Sequence, residues 1–315
     1  MSAASPNPTD PASRADVAHR YYQASGRVPF TGTITMLLLG ALGVLVLAPL
    51  YALADYHARH DKLKLIVAMV YAALAGGWVY YCAYLGKVRN RAFGGIVGFV
   101  IGVFALYFAW TSFLCILFGW DLRVLFLDPI TLVTTALPEL AQSELWTKGG
   151  KPVGPTELTV WWVGEALIIL IASTALAAQQ SRPFCEECGR WTKKASELRM
   201  AVPTSPALKE DLEAEKYEEL AKLVRLPAAE NIATAATVYS CPGCDDSHYI
   251  NLLVTTKDEQ NNAGSYTILK HLSIPPEVAA WIKDPSVLFR QPAGSAEGAE
   301  SAAEEPPGQP VHSDA

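Results

Sequence analysis

The stretch LTVWWVGEALIILIASTALAAQQSRPFCEECGRW (residues 158–191) decides the fold class, because it joins a long apolar run to a pair of cysteines. Within residues 158–181 the only charged side chain is Glu165. A helix needs about 20 apolar residues to cross the hydrocarbon core of a bilayer, and this run is long enough. Cys185 and Cys188 follow almost directly. The stretch therefore predicts a membrane span that leads into a thiol site.

Three earlier runs have the same character. Residues 28–54, 65–86 and 92–120 carry no charged side chain, although 18% of the whole chain is charged. Long uncharged runs of this kind are typical of membrane spans rather than of buried helices in soluble proteins. We therefore expect an α-helical membrane protein with four transmembrane helices and a small α+β C-terminal domain. The predicted spans are about 31–54, 65–86, 94–118 and 158–178, within a membrane domain at 28–181.

The segments outside the spans are polar. Residues 1–27 are rich in proline and small residues, which predicts a disordered or interfacial segment and no cleaved signal peptide. Residues 129–142 are too short to span and predict an interfacial helix. Residues 182–283 are expected to form a cytosolic domain. Residues 284–315 are rich in Ala, Gly, Pro, Ser and Glu, which predicts a disordered acidic tail.

Lysine and arginine near the span ends predict the orientation, since these residues are retained on the cytoplasmic side. One side carries eleven of them: Arg14, Arg20, Arg27, Lys87, Arg89, Arg91, Arg182, Arg190, Lys193, Lys194 and Arg199. The other side carries six: Arg59, Lys62, Lys64, Arg123, Lys148 and Lys151. We expect a multi-pass protein of the cell membrane with both termini in the cytoplasm.

Four of the six cysteines form two Cys-x-x-Cys pairs, Cys185 with Cys188 and Cys241 with Cys244. Two such turns brought together give a tetrahedral four-thiolate site, which suits zinc, with iron as the alternative. Haem attachment is excluded because no histidine directly follows either pair. Thiol redox chemistry stays open. A closed four-cysteine site has no open coordination position, so the expected role of the metal is structural.

The segments FCEECG (residues 184–189) and CPGC (residues 241–244) resemble the two knuckles of a zinc ribbon or a rubredoxin-like fold. The whole chain resembles uncharacterised bacterial four-span membrane proteins with a cytosolic module of this kind. The resemblance implies a zinc-ribbon-like domain at 182–283. The pairs of a zinc ribbon commonly lie about 15–20 residues apart. Here 52 residues separate Cys188 from Cys241, so an acidic helix at 207–224 is expected as an insertion.

Two features of the spans suggest roles inside the membrane. Gly94, Gly98 and Gly102 recur every four residues, and small residues at this spacing let helices approach closely. They are predicted to pack within the bundle, or between two copies in a homo-oligomer. Glu165 is expected either to lie near the membrane interface, paired with a loop arginine or hydrogen-bonded to Trp or Thr, or to face a cavity as a functional residue. The cluster DYHARHD (residues 55–61) is expected to be a solvated loop.

The sequence contains no nucleophile–base constellation and no phosphate loop, so we expect no enzyme. The net charge of −6 gives no support for a nucleic-acid partner. The expected function is that of an integral membrane protein with a structural zinc domain, which acts in interaction, scaffolding or regulation. Its expected partners are the lipid bilayer and a protein bound through the cytosolic domain. The alternatives are a small transporter or channel that uses Glu165, and a membrane redox protein with a four-cysteine iron site.

Overall fold

The computed structural model describes residues 17–58, 61–143, 145–148, 151–179, 182–203, 207–226, 232–244, 246–257 and 263–284. Most of the predicted N-terminal segment and nearly all of the predicted acidic tail lie outside these residues. The chain divides into two units. The first comprises Met1–Lys193 with Cys241–Cys244, and the second comprises Lys194–Ser240 with Asp245–Ala315. The four cysteines of the two pairs therefore all belong to the first unit.

The first unit is mainly helical. Its elements in chain order are α1 (Phe30–His57), α2 (Asp61–Leu85), α3 (Arg91–Leu117), α4 (Pro129–Thr131), α5 (Leu137–Gln142), β1 (Thr147–Lys148), β2 (Lys151–Pro152), α6 (Pro155–Ala178), β3 (Phe184–Cys185) and β4 (Arg190–Trp191). Helices α1, α2, α3 and α6 are long and apolar enough to cross a membrane, which is compatible with a multi-pass membrane protein. They cover the four predicted spans. Asn90 begins α3 by accepting a hydrogen bond from the Phe93 amide at 3.0 Å.

These four helices form a bundle in which α1 and α6 each pack against both α2 and α3. Apolar side chains fill its interior, and Met36, Val44 and Ile169 are fully buried there. Many others point outward, as Leu38 and Ile171 do with about two thirds of their surface exposed. Exposed apolar surface of this extent is unusual for a soluble protein. It is the arrangement expected of a bundle surrounded by lipid.

The glycine face of α3 lies against α6 of the same chain. A Cβ atom added to Gly98 would lie 2.5 Å from the Ser173 carbonyl oxygen and 2.5 Å from Ala177 Cβ. At Gly94 the nearest atom would be the Ala177 oxygen at 2.6 Å, and Gly102 meets Leu170 and Ser173. The glycines thus allow close backbone approach between two helices of one bundle. A homo-oligomer formed through this face, as predicted above, would have to displace α6.

The connection from α3 to α6 contains the predicted interfacial helix, and residues 129–142 are helical throughout. Asp128 begins α4 by accepting a hydrogen bond from the Thr131 amide at 2.9 Å. A π-helical turn at Leu132–Ala136 follows and leads into α5. Pro138 lacks an amide hydrogen and its ring crowds the preceding turn. The wider π turn just before it is one way for a helix to continue past such a residue.

The second unit contains a four-stranded sheet in the order β5 (Lys193–Met200), β6 (Ala233–Ser240), β7 (His248–Lys257) and β8 (Ala263–Ser273). β7 pairs antiparallel with β6 and with β8. Ile250, Leu252 and Val254 of β7 are buried, and their spacing of two residues is typical of a strand with one buried face. The helices of the unit are α7 (Leu208–Glu213), α8 (Glu218–Ala221) and α9 (Pro276–Lys283).

The single acidic helix predicted at 207–224 is a wrong prediction, because α7 and α8 are two short helices. The break falls at Glu215, whose φ of 65° lies in the left-handed region that commonly ends a helix. The Lys216 amide then donates to the Asp211 carbonyl at 2.9 Å. Leu212 and Leu220 remain buried on either side of the break. The periodic apolar residues are therefore used in packing, although the helix is not continuous.

Candidate metal centre and membrane cavity

The first cysteine pair lies on a hairpin formed by β3 and β4. Cys185 is the register partner of Arg190, and residues 186–189 make the turn between them. Gly189 closes the turn with a φ of 60°, a conformation that glycine adopts without steric cost. The sequence CEECG thus folds into a tight turn because its last residue can enter the left-handed region. Cys185 is buried and Cys188 is half-exposed.

The second pair lies on the turn Cys241–Cys244. The Gly243 amide donates a hydrogen bond to Cys241 Sγ at 3.4 Å, as backbone amides do in metal-binding knuckles. A Cβ atom on Gly243 would lie 3.2 Å from Cys188 Sγ. This contact is tighter than ordinary van der Waals packing, so glycine lets the second turn approach the first closely.

The four sulfur atoms form one compact cluster. All four Sγ atoms lie within 4.8 Å of one another, and the Cys185–Cys244 distance is 3.7 Å. With zinc–sulfur bonds of about 2.3 Å, the edge of a regular sulfur tetrahedron is about 3.8 Å. None of the six cysteines, all of which are described, forms a disulfide. The donor set and its spacing therefore fit one four-coordinate metal ion.

The mutual contacts of the four thiols oppose their ionisation. Hydrogen bonding with Cys244, followed by burial and the other two thiols, raises the pKa of Cys188 to about 12. Burial raises the pKa of Cys241 above its usual range. Four thiols this close together resist ionisation, because each thiolate would repel the next. A bound divalent cation supplies the opposing charge and deprotonates its thiol ligands.

The first knuckle is fixed to one end of the helical bundle. Arg89, which lies between α2 and α3 and is only 8% exposed, donates to Glu186 at 2.8 Å. Its guanidinium group also lies over the Phe184 ring, 4.3 Å from the centroid. Cation–π contacts of this kind add to the stabilisation by the ion pair when the charged group is partly desolvated. Glu186 and Phe184 flank Cys185, so this contact positions the first ligand pair.

A second contact to the knuckle comes from the end of α2. Trp191 Nε1 donates to the Tyr84 carbonyl oxygen at 2.8 Å, and the two rings stack with centroids 5.4 Å apart. The carbonyl groups in the last turn of a helix lack partners within the helix. The Tyr84 carbonyl accepts from the Lys87 amide at 3.2 Å as well as from Trp191, so the indole adds a second hydrogen bond there and ties β4 to the bundle.

Glu165 lies on α6 in the half of the bundle farther from the cysteines along the helix. The Tyr51 hydroxyl on α1 donates a hydrogen bond to it. Tyr51 in turn stacks on Tyr71 of α2 with centroids 4.4 Å apart, and the Tyr71 hydroxyl donates to the Ala105 carbonyl at 3.0 Å. Glu165 is thus held by a chain of contacts that involves all four long helices. Tyr51 and Glu165 line a cavity of ≈ 400 Å³ within the bundle.

Asp55 and Lys64 also line this cavity. Lys64 Nζ lies 3.5 Å from Asp55 Oδ2 and 5.8 Å from the centroid of the Trp146 ring. Asp55 was expected in a solvated loop, which is wrong: it belongs to the last turns of α1, and only 17% of its side chain is exposed. His60 of the same cluster lies outside the described residues.

One wall of the cavity is aromatic. Trp110 and Trp162 meet edge to face with centroids 4.8 Å apart, and Trp146 contacts Trp162 at 5.5 Å. Phe113 stacks on Trp146 at 6.0 Å. Trp110 lies towards the end of α3 and Trp162 towards the start of α6. Their convergence with Trp146 depends on the fold of the connection between α3 and α6, for which the sequence gives no direct signal.

No protein-family model matches the chain, and no curated protein or solved structure shows significant similarity to it. The functional argument therefore rests on the sites themselves. The structure brings together all four predicted metal ligands. It places Glu165 beside a cavity and the α3 glycines against α6.

Proposed function

We propose that this chain is a multi-pass membrane protein in which Cys185, Cys188, Cys241 and Cys244 hold one structural zinc ion beside the bundle. The observation that carries the proposal is the spacing of the four sulfur atoms on two knuckles, all within 4.8 Å of one another. Zinc is favoured over iron because it is the common ion of closed four-thiolate sites, and cytosolic thiols stay reduced. Such a site stabilises structure and leaves no position for a substrate.

The proposed role of the ion follows from the course of the chain. The chain leaves the first unit after Lys193, returns to it for Cys241–Cys244, and leaves it again at Asp245. The returning segment connects β6 to β7. A metal ion would therefore fix the segment between β6 and β7 to the first cysteine pair within the first unit. We propose that the sheet-bearing unit is a cytosolic interaction domain that recruits or regulates a protein partner at the membrane.

Metal analysis of the full-length chain in a maltoside detergent tests this proposal. We expect one zinc ion per chain in the native protein and loss of the metal in Cys185→Ser. The matched control is Cys82→Ser, which removes a buried thiol of α2 and should keep the zinc. Finding no stoichiometric metal in folded, reduced protein would contradict the proposal. Iron with the absorption of a thiolate complex would favour the redox alternative instead.

The cavity beside Glu165 supports a second candidate function, that of a small transporter or channel. Carboxylates within a membrane bundle commonly mark substrate or ion pathways. Flux measured in liposomes should then fall in Glu165→Gln and stay at the native rate in Glu139→Gln, which changes an exposed carboxylate of α5. Equal flux in both variants, or no flux above that of protein-free liposomes, would contradict this function.

The proposed orientation, with both termini in the cytoplasm, has its own test. Reporter fusions to the C-terminus should be active when the reporter requires the cytoplasm and inactive when it requires export. The opposite pattern would place the cysteines outside the cytosol and would remove the argument that they stay reduced.

A further inference from the structure

We infer that the cavity beside Glu165 is a binding site for an amphiphilic organic cation, an ammonium group attached to an apolar body. This inference concerns the membrane bundle and is independent of the zinc site. It also does not require transport, because a bound cation could equally serve as a structural or regulatory ligand. Four observations carry it: the charge of the lining, the pairing of its carboxylates, its aromatic wall and its extent.

The charge of the lining is negative. The described lining includes Asp55, Glu165 and Lys64, and the ion pair of Asp55 with Lys64 leaves the formal charge of −1 on Glu165. In the low-dielectric surroundings of a membrane bundle, such charge strongly favours a cation over an anion or a neutral molecule. The charge of the lining therefore indicates a positively charged ligand.

The pairing of the carboxylates shows where the ligand charge would lie. Asp55 already pairs with Lys64 at 3.5 Å. Glu165 accepts a hydrogen bond from the Tyr51 hydroxyl, and no described lysine, arginine or histidine lies within 4 Å of it. A hydroxyl group orients a carboxylate but does not neutralise it. A half-buried carboxylate without a cation is costly, so an ammonium group near Glu165 would offset this cost.

The aromatic wall specifies an organic ammonium rather than a metal ion. Trp110, Trp146 and Trp162 present ring surface to the cavity, and tryptophan is the best partner in cation–π interactions. Lys64 already places its ammonium group 5.8 Å from the Trp146 centroid, so the wall accommodates this chemistry. A hydrated divalent metal would instead need several oxygen ligands around it.

The extent of the cavity fits an apolar body. A volume of ≈ 400 Å³ is within the range of small-molecule sites and is much larger than a metal ion needs. The lining includes Val160 and Trp161, which are 67% and 46% exposed on the outside of the bundle. The cavity therefore reaches the surface that lipid would cover. An alkyl chain could lie there while its ammonium group faces Glu165.

The test uses full-length protein in nanodiscs of phosphatidylglycerol, a lipid without an ammonium group. Hexyltrimethylammonium and hexanesulfonate are titrated separately, since they match in chain length and differ in charge. The binding of each probe to protein-free nanodiscs of the same lipid is subtracted, because this anionic lipid itself attracts cations. We expect the cation to bind on the order of 30-fold more tightly than the anion, the effect of a partly desolvated cation–π and ion-pair site. Equal binding of the two probes to the native protein would overturn the inference.

Variants then locate the bound cation. Glu165→Gln keeps an acceptor for Tyr51 but removes the charge, and it should weaken hexyltrimethylammonium binding about tenfold, between the effects of exposed and buried ion pairs. Glu139→Gln is the matched control and should bind as the native chain does. Native affinity in Glu165→Gln would overturn the assignment. If that variant does not fold, the comparison of the two probes on the native protein still decides the inference.

A last arm distinguishes two sources of the ammonium group. The titration is repeated in nanodiscs that also contain phosphatidylcholine. A lower apparent affinity for hexyltrimethylammonium would show that a lipid headgroup competes for the site. An unchanged affinity would point to a freely diffusing amphiphilic amine. Both results support a cation site when the charge preference and the Glu165→Gln effect are present.

Discussion

Substitution of Gly98 by alanine is the sharpest test of the bundle, because it adds one methyl group at the α3–α6 contact. The added Cβ would lie 2.5 Å from both the Ser173 oxygen and Ala177 Cβ. Non-bonded carbon atoms prefer about 3.5–4.0 Å, so the two helices would have to separate by about 1 Å at this position. Neither contact is the flexible end of a long side chain that could rotate away.

The size of the effect follows from two opposing terms. Overpacking at a close-packed position costs about 1–3 kcal/mol, and a clash with backbone on the facing helix favours the upper part of that range. Replacing glycine by alanine within a helix returns about 1 kcal/mol through its higher helix propensity. The net expectation for Gly98→Ala is therefore a loss of about 2 kcal/mol of stability, or a decrease in Tm of roughly 4–8 °C.

The assay is thermal unfolding of the full-length protein in detergent, followed by the exposure of buried cysteines to a thiol-reactive dye. Gly77→Ala is the matched control, because a Cβ atom at Gly77 of α2 would meet no atom within 4 Å. Its Tm should stay the same or rise slightly. The packing of α3 against α6 would be refuted if Gly98→Ala were as stable as Gly77→Ala.

Three further predictions concern the attachment and protection of the metal centre. Arg89→Gln removes a nearly buried ion pair and a cation–π contact, so zinc should pass to a chelator several-fold faster than in the exposed control Arg27→Gln. Equal rates of zinc transfer would contradict the role of Arg89 in positioning the first cysteine pair. Trp191→Phe keeps an aromatic ring but loses the hydrogen bond to α2, so the free energy of unfolding should fall by about 1 kcal/mol. An unchanged Tm in thermal unfolding would argue against this contact. Removal of the metal should make Cys188 and Cys244, which are partly exposed, reactive toward maleimide, while Cys82 and Cys115 stay slow because they are buried. No newly reactive thiol after metal removal would contradict the assigned ligand set.

The features that the sequence predicted well depend on local patterns. Four uncharged runs were sufficient to locate α1, α2, α3 and α6, because the length of a span is set by the bilayer. The two Cys-x-x-Cys turns identified the four thiols that the structure brings together, since each turn brings its own two thiols together. The spacing of two residues between Ile250, Leu252 and Val254 is likewise a local pattern, one that is typical of a strand, and it lies within β7. In each case the sequence pattern lies within the same residues that form the predicted element or turn.

Features that depend on distant contacts were not predictable in this way. Tyr51 and Glu165 are 114 residues apart in the chain, and nothing near either residue indicates the other. Asp55 was assigned to a solvated loop because the end of α1 could not be located to within one turn. The glycine spacing on α3 indicated a close helix contact but did not identify α6 as the partner. Tertiary packing, rather than local propensity, decides each of these outcomes.

The break at Glu215 illustrates a different limit. The apolar residues at Leu212 and Leu220 keep a helical spacing across it, so the hydrophobic pattern alone predicts one helix. The chain instead enters a left-handed conformation at a residue with no special preference for it. A hydrophobic pattern reports which residues are buried more reliably than it reports a continuous helix.

X-ray absorption at the zinc edge of the full-length protein tests the central claim most directly, because it reports both the number and the type of metal ligands. The account predicts one shell of four sulfur atoms at about 2.3 Å, with no nitrogen or oxygen ligand. Cys244→Ser should convert one sulfur to a lighter ligand or release the metal. A native shell containing nitrogen or oxygen, or fewer than four sulfur atoms, would contradict a closed site made by the four cysteines.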